Sequence, residues 1–193
     1  MFLFSALFRV FRVSVVNSDD VMHRNAATFV TMRIWPPFLL GLLAAPSLAA
    51  QAPSADKVAK SVTRIYGPGV QVDSVRVDST TVLRISQAGS LRGFAEIRNV
   101  KGKDQPITHL VAIDSADRLK DIDILVYREP HGGEVAYDSW RRQFRGKTVS
   151  APLQVDKDIR NISGATISSN AVTRSVRQAL AELTEWHRSG KLK

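Results

Sequence analysis

The chain has 193 residues, of which 44% are apolar and 23% charged, and these proportions exclude a disordered or fibrous protein. It contains no cysteine, which excludes disulfides, iron–sulfur clusters and thiolate zinc sites, and its four histidines are too dispersed to predict a metal site. The formal net charge is +9 at pH 7. Because the basic residues are scattered rather than clustered, this charge predicts no nucleic-acid binding.

Residues 32–50 have the features of a secretory signal peptide. Arg33 precedes a short apolar run, and Ser47-Leu48-Ala49 or Leu48-Ala49-Ala50 supplies the small residues of a cleavage site. The run is interrupted by prolines and is shorter than the ~20 apolar residues of a spanning helix; left uncleaved, it would act as a membrane anchor. We therefore expect a periplasmic or otherwise extracytoplasmic protein with a mature domain at residues 51–193.

Residues 1–31 precede this signal peptide and contain a basic, apolar stretch followed by a polar one. A signal peptide is normally at the N-terminus. We therefore expect an over-extended start, with Met32 as the initiator.

Four elements are predicted in the first half of the mature domain. Asp56–Val62 has helical spacing and a capping start, and Pro68 with its neighbouring glycines ends that helix. Alternating apolar and polar residues then predict three strands, at Val70–Val77, Thr81–Ser86 and Gly93–Val100.

The second half predicts a hairpin and further helices. The β-branched, apolar segments Ile107–Asp114 and Asp121–Tyr127 flank a polar turn and predict paired strands. Glu134–Phe144 predicts a short helix, Thr148–Leu153 an extended segment, and Ser168–Trp186 a helix with one apolar face. Strands followed by a terminal helix predict an α+β fold, with an antiparallel sheet, flanking helices and a C-terminal helix.

The turn before the last helix is the predicted site. A helix start leaves backbone N–H groups unpaired and carries a partial positive charge, so a phosphate there gains hydrogen bonds and a favourable field. Gly164 permits close backbone approach, and hydroxyls crowd around it at Ser163, Thr166, Ser168 and Ser169. The alternative is a well-capped helix without a ligand, because serine and threonine are common at helix starts.

The sequence Ser163-Gly164-Ala165-Thr166, followed by Ile167-Ser168-Ser169, resembles the flavinylation motif of the FMN-binding domain family. That family includes the flavin-carrying C component of the sodium-pumping NADH:quinone reductase and the G component of the Rnf complex. The resemblance extends over residues 90–185 and is to a stand-alone periplasmic branch. It implies that Thr166 carries FMN through a phosphoester, and that a separate magnesium-dependent flavin transferase attaches the flavin from FAD.

The segment Glu129-Pro130-His131-Gly132-Gly133-Glu134 is the second predicted wall of the site. Its glycines permit close approach and its proline stiffens the turn, and the resemblance implies that it lies beside the flavin. A tight polar turn leading into a helix is the alternative. The aromatic residues Tyr127, Trp140 and Phe144 either contact the isoalloxazine ring or belong to the core.

One position departs from the family pattern. The family has an aspartate six residues before the modified threonine, where this chain has Arg160, and Asp158 is acidic but out of register. If that aspartate helps the transferase to recognise its target, flavinylation is slow, depends on Asp158 or fails, and FMN then binds noncovalently.

The resemblance implies an exported electron carrier rather than a stand-alone enzyme, exchanging electrons with a membrane or periplasmic redox partner. FMN would do the redox chemistry, and the protein would orient it and tune its potential. An exported binding module of the same fold without attached flavin is an alternative that Arg160 favours. A flavin-dependent reductase is the other, although no acid–base pair or activated nucleophile is visible from the spacing, so no catalytic residue is predicted.

Overall fold

The computed structural model describes residues 52–193, which form a five-stranded antiparallel sheet with helices on both faces. The predicted signal peptide and residues 1–31 lie outside the described residues. The predicted α+β class is confirmed. No helix within residues 52–193 is both long and apolar enough to cross a membrane.

The five strands are consecutive in sequence and in the sheet, and every neighbouring pair is antiparallel. Their bounds are β1 (Gln71–Val77), β2 (Thr80–Gln87), β3 (Ser90–Lys101), β4 (Pro106–Asp114) and β5 (Leu119–Val126). All five predicted strands are therefore present, and the predicted hairpin is the β4–β5 pair.

Helix α1 (Ala55–Tyr66) covers one face of the sheet. The Ser54 side chain accepts a hydrogen bond from the Lys57 backbone N–H at 3.3 Å and caps the helix start. The helix ends at Gly67, whose φ of 97° suits a residue without Cβ. Buried Val62 on this helix packs against the α1-facing side chains of the sheet.

Helix α3 (Thr166–Arg188) covers the other face and contacts β3 and β4. The predicted apolar stripe is buried; its members are Val172, Val176, Ala179, Leu180 and Leu183. Because side chains alternate along a strand, Val111 and Ile113 of β4 pack on the α3 side and Leu110 and Ala112 on the α1 side. The strand is buried on both faces, so its sequence is nearly continuous in apolar residues.

The predicted helix at 134–144 is broken into three short pieces. A 3₁₀ turn (Gly133–Ala136) is followed by the single α-turn α2 (Asp138–Arg141) and a second 3₁₀ turn (Arg142–Phe144). The interruption is at Tyr137, whose ψ of 140° is extended and cannot continue a helix.

The prediction of an extended segment at Thr148–Leu153 is wrong. The region is a compact loop without a named strand, because the Asp158 carboxylate gathers it: it accepts the N–H groups of Leu153 at 3.2 Å and Gln154 at 2.8 Å and pairs with Lys147 Nζ at 2.9 Å. Partial burial opposes ionisation of Asp158, but these partners outweigh it and hold its pKa below the usual value.

Candidate functional site

The first turn of α3 exposes backbone donors. Thr166 is the first helical residue, two positions earlier than predicted, and Ala165 occupies the N-cap without a side-chain hydrogen bond to the helix. Among the described residues, no acceptor receives the amide N–H groups of Thr166, Ile167 and Ser168. Unpaired amides at the positive end of a helix of this length favour an anion. No side chain of this turn accepts these N–H groups, so the helix start is not capped by its own hydroxyls.

The hydroxyls of the predicted turn have different surroundings. Ser163 and Thr166 are exposed, whereas Ser168 and Ser169 are buried. Ser168 Oγ lies 3.2 Å from the Tyr127 hydroxyl. The turn itself depends on Gly164, whose φ of 79° is left-handed and which has no heavy atom near the position of a Cβ.

The second predicted wall packs tightly against this turn. A Cβ on Gly132 would lie 2.7 Å from both Ala165 Cβ and the Tyr127 hydroxyl, and the φ of Gly132 is 88°. The Tyr127 hydroxyl donates to the carbonyl of His131 and also contacts Ser168. Tyr127 thus joins the two walls through its polar end, and only glycine fits at position 132.

Between the walls lies a cleft of about 290 Å³, which we call the small cleft. Its lining residues are Lys103, Asp104, Glu129, Pro130, His131, Gly164, Ala165, Thr166, Ile167 and Ser168. Residues from both segments that were predicted as walls therefore line the same cleft. A shallower depression beside it is lined by predicted residues that include Gly132, Gly133, Ser163 and Glu134, together with exposed Tyr137.

The sequence patterns predict no role for four residues at this site: Lys103, Asp104, Ile167 and Tyr137. Lys103 and Asp104 come from the β3–β4 turn and supply a cation and a carboxylate to the small cleft. Ile167 and Tyr137 are large apolar side chains left more than half exposed beside these spaces. The Gly102-Lys103-Asp104 run between two predicted strands is the sequence signal for this turn.

Glu129 holds the β3–β4 turn in place. Its Oε1 accepts the N–H groups of Gln105 at 3.0 Å and Asp104 at 2.8 Å, and donation by Gln105 is the first cause of its lowered pKa. A Cβ at Gly102 would lie 2.3 Å from that oxygen. Glu129 therefore shapes the small cleft and brings Lys103 to it. The negative charge of Glu129 is stabilised by the backbone N–H groups of the turn.

Of the aromatic residues proposed to touch a ring, two are in the core. Trp140 and Phe144 are buried and pack edge to face, with ring centroids 5.0 Å apart. Trp140 Nε1 donates to the Arg160 carbonyl at 2.9 Å. Their role is therefore to support the chain that leads into the site.

Within residues 52–193, Arg160 makes hydrogen bonds through its main chain, not through its side chain. The Arg160 N–H donates to Gln143 Oε1 at 2.8 Å, and its side chain is exposed. Asp158 is engaged in the 153–158 loop with Lys147. A role for Asp158 as a substitute recognition group would have to break these contacts.

A cavity larger than the small cleft lies elsewhere on α3. This large groove, of about 870 Å³, runs between the middle of α3 and strands β2 and β3. Its charged centre is Arg98, whose Nε donates to Glu96 Oε1 at 2.9 Å and whose Nη2 donates to Glu182. Burial raises the pKa of Glu96, and Arg98 only partly offsets that effect.

Comparison with known proteins gives matches to the part of the chain that contains the small cleft. Residues 102–181 match the model of a family described as "FMN-binding domain", and this range includes both walls. Over 91 residues the chain is 34% identical to the G component of the proton-translocating ferredoxin:NAD(+) oxidoreductase complex of Clostridium ljungdahlii. That alignment covers 44% of this chain and 49% of the relative, so the chain spans about half the length of the curated protein it matches.

Proposed function

The chain belongs to the FMN-binding domain family through residues 102–181, and on this basis we propose that it is an exported electron carrier with FMN esterified to Thr166. The observation that carries the proposal is the exposed Thr166 hydroxyl beside three amide N–H groups that lack acceptors among the described residues. When bound, the flavin supplies the electron-accepting and electron-donating chemistry.

The small cleft fits a phosphate. The amides of Thr166, Ile167 and Ser168 would hold its oxygens, and Lys103 would add a positive charge from the opposite wall. Because Gly132 has no Cβ, the second wall can lie close to the helix start. Ile167 and Tyr137, both largely exposed, are available to cover an apolar ring.

The attachment requires an outside enzyme. Thr166 Oγ1 would bond to the phosphorus of the flavin half of FAD, AMP would leave, and the hydroxyl proton would pass to a base. Among the described residues, no carboxylate or imidazole hydrogen-bonds that hydroxyl, whose contact is with Asn161. A magnesium-dependent flavin transferase is therefore the proposed partner that supplies the base and neutralises the phosphates.

The redox partner is proposed from the relative and from the N-terminus. The relative's name describes one component of a ferredoxin:NAD(+) oxidoreductase complex, and we propose that this chain exchanges electrons with a membrane redox complex. Export rests on the signal-like residues 32–50. A covalent tether suits an exported protein, because a flavin released outside the cytoplasm is not readily recaptured.

A second candidate function is a domain that binds FMN noncovalently or has lost it. The observation that favours it is Arg160, which replaces the aspartate of the family pattern. The phosphate-binding amides would serve a free FMN equally well, so only the state of the Thr166 hydroxyl separates the two candidates.

The test is co-expression of the chain with a flavin transferase, followed by denaturing electrophoresis. The proposal predicts yellow fluorescence that stays with the wild-type polypeptide and is lost completely in Thr166→Val, which keeps the branched shape and removes the oxygen. Ser163→Ala is the matched control, because it removes another exposed hydroxyl from the same turn and is expected to retain the signal. A colourless wild-type band, or a fluorescent Thr166→Val band, would contradict the assignment.

A further inference from the structure

The Thr166 hydroxyl has one side-chain contact among the described residues, the carboxamide of Asn161. Asn161 Nδ2 lies 3.1 Å from Thr166 Oγ1, and Asn161 Oδ1 accepts the Ile162 backbone N–H at 2.9 Å. We propose that Asn161 donates a hydrogen bond to the acceptor oxygen during flavin attachment and stabilises its negative charge. This proposal rests on the proposed function of Thr166.

The orientation of the carboxamide follows from its neighbours. The Ile162 backbone N–H can only donate, so the Asn161 atom facing it must be the oxygen. The other end of the carboxamide is then the NH₂ group, which can only donate to Thr166. The hydroxyl oxygen therefore accepts at this contact, and its own proton points elsewhere.

This geometry favours the chemistry of an acceptor alcohol. A donor at the oxygen stabilises the alkoxide relative to the alcohol, and it leaves the hydroxyl proton free for removal. In the transfer, the Oγ1–phosphorus bond forms, the bond from that phosphorus to AMP breaks, and the proton passes to a base of the transferase. Asn161 keeps both of its amide protons throughout.

The position of Asn161 is fixed from the core. The preceding residue, Arg160, is held on both sides of its main chain, by Gln143 Oε1 at its N–H and by buried Trp140 at its carbonyl. The turn that follows is closed by the Ala165 N–H, which donates to the Ile162 carbonyl at 2.9 Å. The carboxamide thus stands on a rigid segment, next to the position where the family pattern has its aspartate.

The experiment compares two substitutions at Asn161 with a matched asparagine. Asn161→Ala removes both ends of the carboxamide, and Asn161→Asp keeps the acceptor for Ile162 but loses the donor to Thr166. Asn170→Ala is the control, because Asn170 Nδ2 donates to the Thr166 backbone carbonyl at 2.9 Å and does not touch the hydroxyl. Purified apoprotein, FAD, Mg²⁺ and transferase are mixed, and flavin incorporation is followed by intact mass.

The proposal predicts that both Asn161 variants lower the kcat of incorporation about tenfold or more, as expected for loss of a hydrogen bond to a charged oxygen. The KM for the apoprotein and the melting temperature should stay near wild type, and Asn170→Ala should match wild type in all three. A wild-type rate in Asn161→Ala would overturn the proposal and leave Thr166 as the acceptor. A wild-type rate in Asn161→Asp alone would overturn the proposal and indicate that Asn161 only stabilises the turn. A wild-type chain that incorporates no flavin would overturn both the role of Asn161 and the assignment of Thr166 as the acceptor.

Discussion

The small cleft and the large groove both lie against α3, yet they differ in whether their polar groups have hydrogen-bond partners. The groove is about 870 Å³ and the cleft about 290 Å³. In the groove, Arg98 donates hydrogen bonds to Glu96 and Glu182, so the positive charge of Arg98 is neutralised by these carboxylates. In the cleft, three successive amides lack an acceptor among the described residues. Unpaired donors, and not volume, therefore distinguish the site.

Mutations in the two regions should have different consequences. The cleft presents unpaired backbone N–H groups of the helix start, so changes there should alter flavin loading. The groove is held by side-chain ion pairs, so changes there should alter stability and leave loading intact.

The largest expected effect is on stability, from Arg98→Met in the large groove. The substitution keeps much of the side-chain volume but leaves Glu96, only 4% exposed, without its cation. We expect the free energy of unfolding to fall by about 3 kcal/mol, measured by chemical denaturation. Arg92→Met on the same strand is the control, because Arg92 is exposed and should change little. Reduced flavin loading in folded Arg98→Met protein would contradict the claim that the groove does not take part in flavin binding.

The next effect is from Gly132→Ala in the cleft wall. The added Cβ would meet Ala165 and Tyr127 at 2.7 Å, and alanine disfavours a φ of 88°. We expect a loss of about 2 kcal/mol in stability together with slower flavin incorporation into the protein that remains folded. Gly133→Ala is the control, since nothing lies within 4 Å of its Cβ position and its φ is not left-handed. Equal behaviour of the two variants would refute the close-packed wall.

An effect of similar size concerns His109, which is fully buried on β4 opposite Arg98. Burial lowers the pKa of His109 from 6.5 to about 4. A depressed histidine pKa means that the unfolded chain binds the proton first, so stability is present above pH 6.5 and is lost as the pH falls towards 4. Between pH 7 and 5 this loss is on the order of 2 kcal/mol, and His109→Leu should remove it. Denaturation curves with the same pH slope in both proteins would contradict this assignment.

The smallest effect is expected from Lys103→Ala. Lys103 lines the small cleft from an exposed turn, so its charge is partly screened by water. Flavin incorporation should slow by only a few-fold, and the effect should shrink as salt is added. Lys101→Ala, also exposed but outside the cleft lining, should show neither change. An equal salt-dependent loss in both variants would indicate a general charge effect.

Much of the fold follows from periodicity. The apolar stripe of α3 and the alternating strands are dictated by local sequence, and only the ends of these elements moved. The start of α3 was placed too late because Ser168 and Ser169 look like capping residues. In the structure Ser168 contacts Tyr127 and Ser169 is buried, so the helix begins at Thr166.

The contribution of the β3–β4 turn to the small cleft could not be predicted in the same way. Lys103 reaches it because Glu129, distant in sequence, accepts the amides of the β3–β4 turn. The closeness of Gly132 to Ala165 likewise depends on tertiary packing. The Thr148–Leu153 segment was misassigned for a related reason, since contacts from Asp158 outweigh the local preference for an extended chain.

The most direct measurement is the mass of the tryptic peptide Asn161–Arg174 from protein that was loaded with a flavin transferase. This peptide contains Ser163, Thr166, Ser168, Ser169 and Thr173. The account predicts an increase of one FMN less one water, with fragment ions that place the addition on Thr166. An unmodified peptide, or an addition on any of the other hydroxyls, would contradict it.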